Sequence, residues 1–163
     1  IFWNIKQFET SIFWRISQSM ENKYINRYKN FCRSLNNLKK SKTADPDADF
    51  VLEGTAQNYN LTFDLSWKVM KDILVKVLGI NDIALGSPRA NLQAAFSNKL
   101  IDDDVWLQML RTRNLLAHDY DGAVARENFE KITTVYYDVF YKFKMIAEEY
   151  FEKGMQEEDS FKA

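Results

Sequence analysis

Cysteine and histidine are almost absent from this chain: Cys32 and His118 are the only ones among 163 residues. Neither a disulfide framework nor a Cys/His zinc site can be assembled within one copy, so no metal and no cofactor are expected. Such sparing use of cysteine suits a reducing cytoplasm, and Cys32, at helical spacing beside Phe31 and Arg33, reads as an inert, half-buried thiol. Glycine (5) and proline (2) are scarce as well. That scarcity excludes collagen-like, Pro-rich and Gly/Ser-rich chains, and it argues against an all-β fold built on many tight turns. A surplus of one charge is also lacking: 22 Lys and Arg stand against 23 Asp and Glu, a formal net charge of -1. No global basic field exists to drive nucleic-acid or membrane binding, which would have to come from a local patch. Long apolar runs are missing too. The N-terminal IFWNIKQFETSIFWRISQSM is interrupted by Asn4, Lys6, Gln7, Glu9 and Arg15, so it is neither a signal peptide nor a membrane span.

What is present points to helices. Apolar residues make up 46% of the chain, enough for one compact domain that hides about 70% of the surface of its unfolded state. Residues 1–19 form a separate N-terminal extension, either an amphipathic helix whose Ile1, Ile5, Phe8, Ile12 and Ile16 share a face, or a stretch preceding a natural start at Met20. Tyr24, Tyr28, Phe31, Leu35 and Leu38 step by threes and fours and predict a helix over about 22–40. Pro46 with Asp45, Asp47 and Asp49 marks a turn and the start of the next helix. The seam Leu52, Ala56, Tyr59, Phe63, Trp67, Met70, Leu74 and Val77 predicts a long central helix ended by Gly79, which is suited to a left-handed cap. Ser87-Pro88 opens a short helix to about Asn98, and Asp102, Asp103 and Asp104 open another to about His118. A last long helix spans about 123–153, followed by a polar tail over 156–163. The fold class expected is all-α: an up-and-down antiparallel four-helix bundle with an additional short helix, occupying residues 20–155.

The chemistry concentrates in Arg111-Thr112-Arg113-Asn114-Leu115-Leu116-Ala117-His118-Asp119-Tyr120. At 3.6 residues per turn Arg111, Asn114 and His118 lie within about 60° of one another, while Arg113 is some 140° from His118. Arginine suits forked phosphate contact, and histidine has the side-chain pKa that allows proton transfer in both directions near neutrality. These are the parts of a metal-independent phosphodiesterase or of a nucleotide-phosphate site. A purely structural account is also open, with His118 favoured by the helix dipole and the arginines paired with nearby acids.

Arg113-Asn114-x3-His118-x-Tyr120 resembles the Arg-polar-x3-His signature of the HEPN superfamily. The blocks Tyr28-x2-Phe31-x3-Leu35-x2-Leu38, Glu53-Gly54, Phe63-x3-Trp67-Lys68, Ser87-Pro88-Arg89 and Ile101-Asp102-Asp103 with Trp106-x2-Met109-Leu110 are similar to the nucleotidyltransferase substrate-binding proteins within it. The similarity covers about 20–150. It implies a helical bundle, usually a homodimer, that binds a small nucleotidyltransferase encoded nearby. In related toxin–antitoxin pairs the helical protein is a ribonuclease, and the transferase silences it by adenylating the motif tyrosine, here Tyr120. Gly86-Ser87 and the Asp102-x-Asp104 pair imitate pieces of a transferase active site. They stand at predicted helix N-termini, where Ser-Pro and clustered Asp are ordinary caps, so this chain is not itself a nucleotidyltransferase.

Three functions follow as expectations. The first is a partner subunit that binds substrate or nucleotide for a separate transferase, with Arg111, Asn114 and Tyr120 as binding residues. The second is a metal-independent endoribonuclease in which Arg113 neutralises the RNA phosphate and His118 moves the proton as catalytic residues. The third is a helical interaction module whose Arg/His cluster is structural. A homodimer is expected on the face of the fourth helix, with Trp106 and Met109 as its apolar anchor. The Tyr120 hydroxyl is expected to be accessible.

Overall fold

The computed structural model describes residues 22–80 and 86–161, with side chains to residue 152; the reading of 1–19 as an extension lies outside them. Among the described residues the regular structure is helical, without strands. Helix α1 spans 22–39 and tightens into a 3-10 turn over Lys40–Thr43. Helix α2 runs from Val51 to Lys76, α3 from Pro88 to Ser97, α4 from Val105 to Leu116 and α5 from Ala123 to Lys131. A π-helical stretch, Ile132–Tyr136, joins α5 to α6, Tyr137–Phe161. Four long rods and one short helix are the predicted set. The backbone of α6 continues to Phe161, through most of the segment read as a polar tail.

Local chemistry accounts for the boundaries. The Asp45 carboxylate accepts from Asp47 N–H at 2.9 Å and shapes the turn before α2. Helix α2 itself starts only at Val51, because Phe50 takes a left-handed φ of 65° that breaks the winding. Gly79, at φ 67°, ends the central helix as its lack of a β-carbon permits. Ser87 Oγ accepts from Ala90 N–H at 3.2 Å, with Pro88 at the first helical position.

The core is aromatic and lies where α1, α2, α4 and α6 meet. Trp106 of α4 packs edge-on against Phe140 and Phe143 of α6 at 5.6 and 5.9 Å between ring centres. Phe31 of α1 reaches Phe143 at 5.6 Å, and Phe63 of α2 reaches Trp106 at 6.3 Å. Such tilted and edge-on contacts suit the ring quadrupoles and add to the burial of large apolar areas. Cys32 is half-buried, and burial raises its thiol above the usual range. Little thiolate forms at neutral pH, in keeping with an inert cysteine.

The π-helical stretch has a cause in its residues. Ile132-Thr133-Thr134-Val135 is a β-branched run, crowded in a helix. Thr133 Oγ1 donates to the carbonyls of Phe129 and Glu130 at 3.0 and 3.2 Å, and Thr134 Oγ1 donates to Glu130 at 2.7 Å. Hydroxyls that bind carbonyls of the preceding turn loosen the α-helical ladder. Beyond the bulge Tyr136 faces inward, fully buried, and its ring stacks on Tyr59 at 5.7 Å.

Candidate functional site

The segment singled out by its motif forms the last two turns of α4 and the loop into α5. Asp103 Oδ1 accepts from Val105 N–H at 2.9 Å and starts the helix. Trp106, Met109, Thr112 and Leu116 then recur at helical spacing and are buried, which fixes the rotation of α4 on the core. Two buried hydrogen bonds reinforce that rotation. Tyr59 Oη donates to the Met109 carbonyl at 2.8 Å, and the hydroxyls of Thr112 and Tyr136 lie 3.2 Å apart. Thr112 stands between the two arginines, so the π-helical stretch and α2 together set where both guanidinium groups emerge.

They emerge on different sides. Arg113 turns toward α2 and grips Asp64 in a forked pair, Nε to Oδ1 at 3.0 Å and Nη2 to Oδ2 at 2.8 Å. Asp64's hydrogen bonds raise the Arg113 pKa, holding the guanidinium charged more firmly still. Arg111 and Asn114 are exposed, and so is His118 just past the helix end. Among the described residues, none of these three side chains has a hydrogen-bond or ion-pair partner. The one-sided grouping expected for Arg111, Asn114 and His118 is therefore paired with exposure, while Arg113 is directed elsewhere.

The loop that follows is held by its acids. The Asp119 carboxylate accepts from Val124 N–H at 3.1 Å and from Ala125 N–H at 2.7 Å, and Asp121 Oδ1 accepts from Ala123 N–H at 3.1 Å. Both serve as caps for the first turn of α5. Gly122, at φ 78°, supplies the left-handed step between Asp121 and the first turn of α5. Tyr120 lies between the two capping acids and is 93% exposed. Its hydroxyl is accessible, as expected.

Sequence reasoning missed Asp64. Nothing in the α4 motif names it, and the signal that could have found it is a lone carboxylate between Phe63 and Leu65 in an otherwise apolar helical seam. The expected dimer anchor is corrected: Met109 is fully buried and Trp106 is 2% exposed, so both belong to the core of one chain. The aspartates that imitate a transferase site stand elsewhere in the fold: Asp102 pairs with Lys142 at 2.7 Å, which lowers its pKa, and Asp104 is the residue that precedes the first turn of α4. Among the described residues no three Asp, Glu, His or Cys side chains gather as metal ligands, and no helix is long and apolar enough to cross a membrane.

Comparison with known families matches residues 23–149 to the model described as nucleotidyltransferase substrate binding protein like. That span takes in every described helix from α1 into α6. No curated protein matches the chain.

Proposed function

The chain belongs to the nucleotidyltransferase substrate binding protein family, and from that premise we propose that it is the helical partner subunit of a two-protein nucleotidyltransferase assembly, of the HEPN type and arranged as a toxin–antitoxin pair. The observation that carries the reading is the end of α4. Arg111 and Asn114 on the last turns of α4, and His118 and Tyr120 on the loop pinned by Asp119 and Asp121, stand exposed and unpartnered among the described residues. A transferase can approach this end without dismantling any contact of the fold.

The chemistry proposed is adenylation of Tyr120 by the partner. The phenol oxygen forms a bond to the α-phosphorus of ATP, the α–β anhydride bond breaks, and pyrophosphate leaves. The phenolic proton passes to a base of the transferase or to water. The product carries one negative phosphodiester beside Arg111 and His118. Arg111 is free to pair with it, whereas Arg113 would first have to release Asp64. The modified tyrosine thus places charge and bulk over the exposed cation and imidazole.

Incubating the full chain with its partner transferase, ATP and magnesium, followed by intact mass measurement, tests the reading. One adenylate increment is expected in the wild type and none in Tyr120→Phe. No increment, or an increment that persists in Tyr120→Phe, overturns the assignment.

The exposed His118 beyond the end of α4, with Arg111 exposed about two turns before it, also favours a second reading, a metal-independent endoribonuclease with His118 as general acid or base. The forked Asp64 pair weighs against it, since Arg113 would need to exchange a carboxylate for an RNA phosphate. RNA cleavage in the presence of EDTA that is lost in His118→Ala would decide for the ribonuclease.

A further inference from the structure

A cleft of about 420 Å³ opens between the C-terminal half of α3 and the start of α4, within the size range of small-molecule sites. Leu92, Ile101 and Trp106 form its floor and are almost wholly buried. Its walls include Phe96 of α3 and Leu107 of α4, which stay 54% and 42% exposed although the floor between them belongs to the core. Two large apolar side chains are thus held at a concavity instead of being packed inside.

The turn between the helices builds this cleft in advance. Lys99 takes a left-handed φ of 58°, and the N–H groups of Leu100 and Lys99 donate back to the carbonyls of Ala95 and Phe96 at 2.9 and 3.0 Å. That closure of α3 carries Leu100 and Ile101 inward, where both are buried. Phe96 follows the buried Ala95 and is left on the rim. Walls fixed by main-chain hydrogen bonds have little freedom to lose when a ligand enters.

The charge at its mouth is negative. Asp103 and Asp104 line the cleft at the start of α4. Leu107 N–H donates to the Asp104 carbonyl at 3.1 Å, which places the Leu107 wall one turn beyond the carboxylates on the same face. Side chains so spaced stand about 5–6 Å apart at their β-carbons. A helix N-terminus alone favours an anion, but here Asp103 Oδ1 already accepts from Val105 N–H at 2.9 Å. The neighbouring cation, Lys142, is held by both oxygens of Asp102 at 2.7 and 2.9 Å. Among the described residues Asp103 and Asp104 meet no cation, so the apolar walls end at two carboxylates open to a ligand.

We propose that the α3–α4 cleft binds a small amphiphilic amine, a ring or short alkyl body carrying one ammonium group. The body lies between Phe96 and Leu107 over the Trp106 floor, held by burial of apolar surface and by ring contact with Phe96. The ammonium group reaches Asp103 and Asp104 on a tether of about two carbons, as the spacing of wall and carboxylates requires. A carboxylate of the same shape meets like charge at the mouth and is rejected. Helix α4, about 18 Å long, separates this site from the loop that carries Tyr120, so the proposal does not rest on the nucleotidyl-transfer reading.

Amide NMR titration of the isotope-labelled full chain with phenethylamine, hydrocinnamate and phenethyl alcohol tests the proposal. Phenethylamine is expected to give saturable shifts confined to α3 and the start of α4, and hydrocinnamate to bind about tenfold more weakly or worse. The variant D103N/D104N keeps the shape of the cleft and an acceptor for Val105 N–H. It is expected to bind phenethylamine about threefold to tenfold more weakly and phenethyl alcohol unchanged. Asp104→Asn alone, whose side chain does not cap α4, carries the same comparison if the double variant loses its native spectrum. Phe96→Ala is expected to weaken amine and alcohol alike. Shifts that do not saturate, or that spread over acids across the surface, overturn the proposal. Equal affinity for phenethylamine and hydrocinnamate does so too, as does unchanged amine affinity in the Asn variants. Broadening of the cleft amides that grows with protein concentration, with no response to phenethylamine, assigns the cleft to a second copy and equally overturns it.

Discussion

Asp72 shows what a single buried acid does to this chain. Burial pushes its carboxyl from 3.8 up to about 6, against the opposing pull of Arg27, Lys23 and Lys71. The folded protein therefore holds this proton more tightly than the unfolded chain does. The stability contributed by the protonated group is fully present below about pH 4 and is lost as pH rises to about 6. Measured by denaturant unfolding, the stability of the wild type minus that of Asp72→Asn is expected to fall across that window, and a flat difference would contradict the assignment. The same residue scale separates the two arginines of the motif. Both carry the same group two positions apart, yet one grips Asp64 and the other stands free. Helical geometry made that divergence legible: a residue some 140° from His118 has to look elsewhere. Asp64 was not legible, because it lies 49 positions away in sequence and meets Arg113 only once α2 and α4 pack.

At the scale of elements, the loop between α4 and α5 is a capping device that also displays Tyr120. Asp119 satisfies two N–H groups of the first turn of α5. Asp119→Ala leaves both without their acceptor and is expected to cost about 1–2 kcal/mol, a fall of several degrees in Tm. Hydrogen exchange at Val124 and Ala125 should quicken in the same variant, and unchanged exchange would show that the cap does not hold the turn. Helix starts were readable wherever the signal is local, as at Ser87-Pro88 and Asp103. The π-helical stretch was not foreseen from apolar spacing, since the register of Phe129, Ile132, Tyr136 and Val139 suits an unbroken helix. Its origin is the competition of Thr133 and Thr134 hydroxyls for carbonyls.

At the scale of the whole molecule, Trp106 decides between two roles for the α4 face. As a dimer anchor it would tolerate truncation in a stable monomer. As the hub of the Phe63, Phe140 and Phe143 cluster it would not. Trp106→Ala is expected to cost about 3–5 kcal/mol, a large share of the stability of a domain this size. Thermal unfolding reads that loss, and a variant as stable as the wild type would return Trp106 to the interface. A homodimer that brings two α4 ends together remains our proposal, and it must use side chains that α4 leaves outside, such as the exposed Leu107 and Leu115. Among the described residues the all-helical class, the placing of most helix starts and the exposure of Tyr120 were determined by sequence alone, because apolar period, caps and turn residues act within a few positions. Tertiary structure alone decided that Trp106 and Met109 are used up in the core of one chain and not on a dimer seam, that Asp64 takes Arg113, and that Asp72 fixes Arg27. Those outcomes depend on which helix faces which, and packing rather than local propensity sets that.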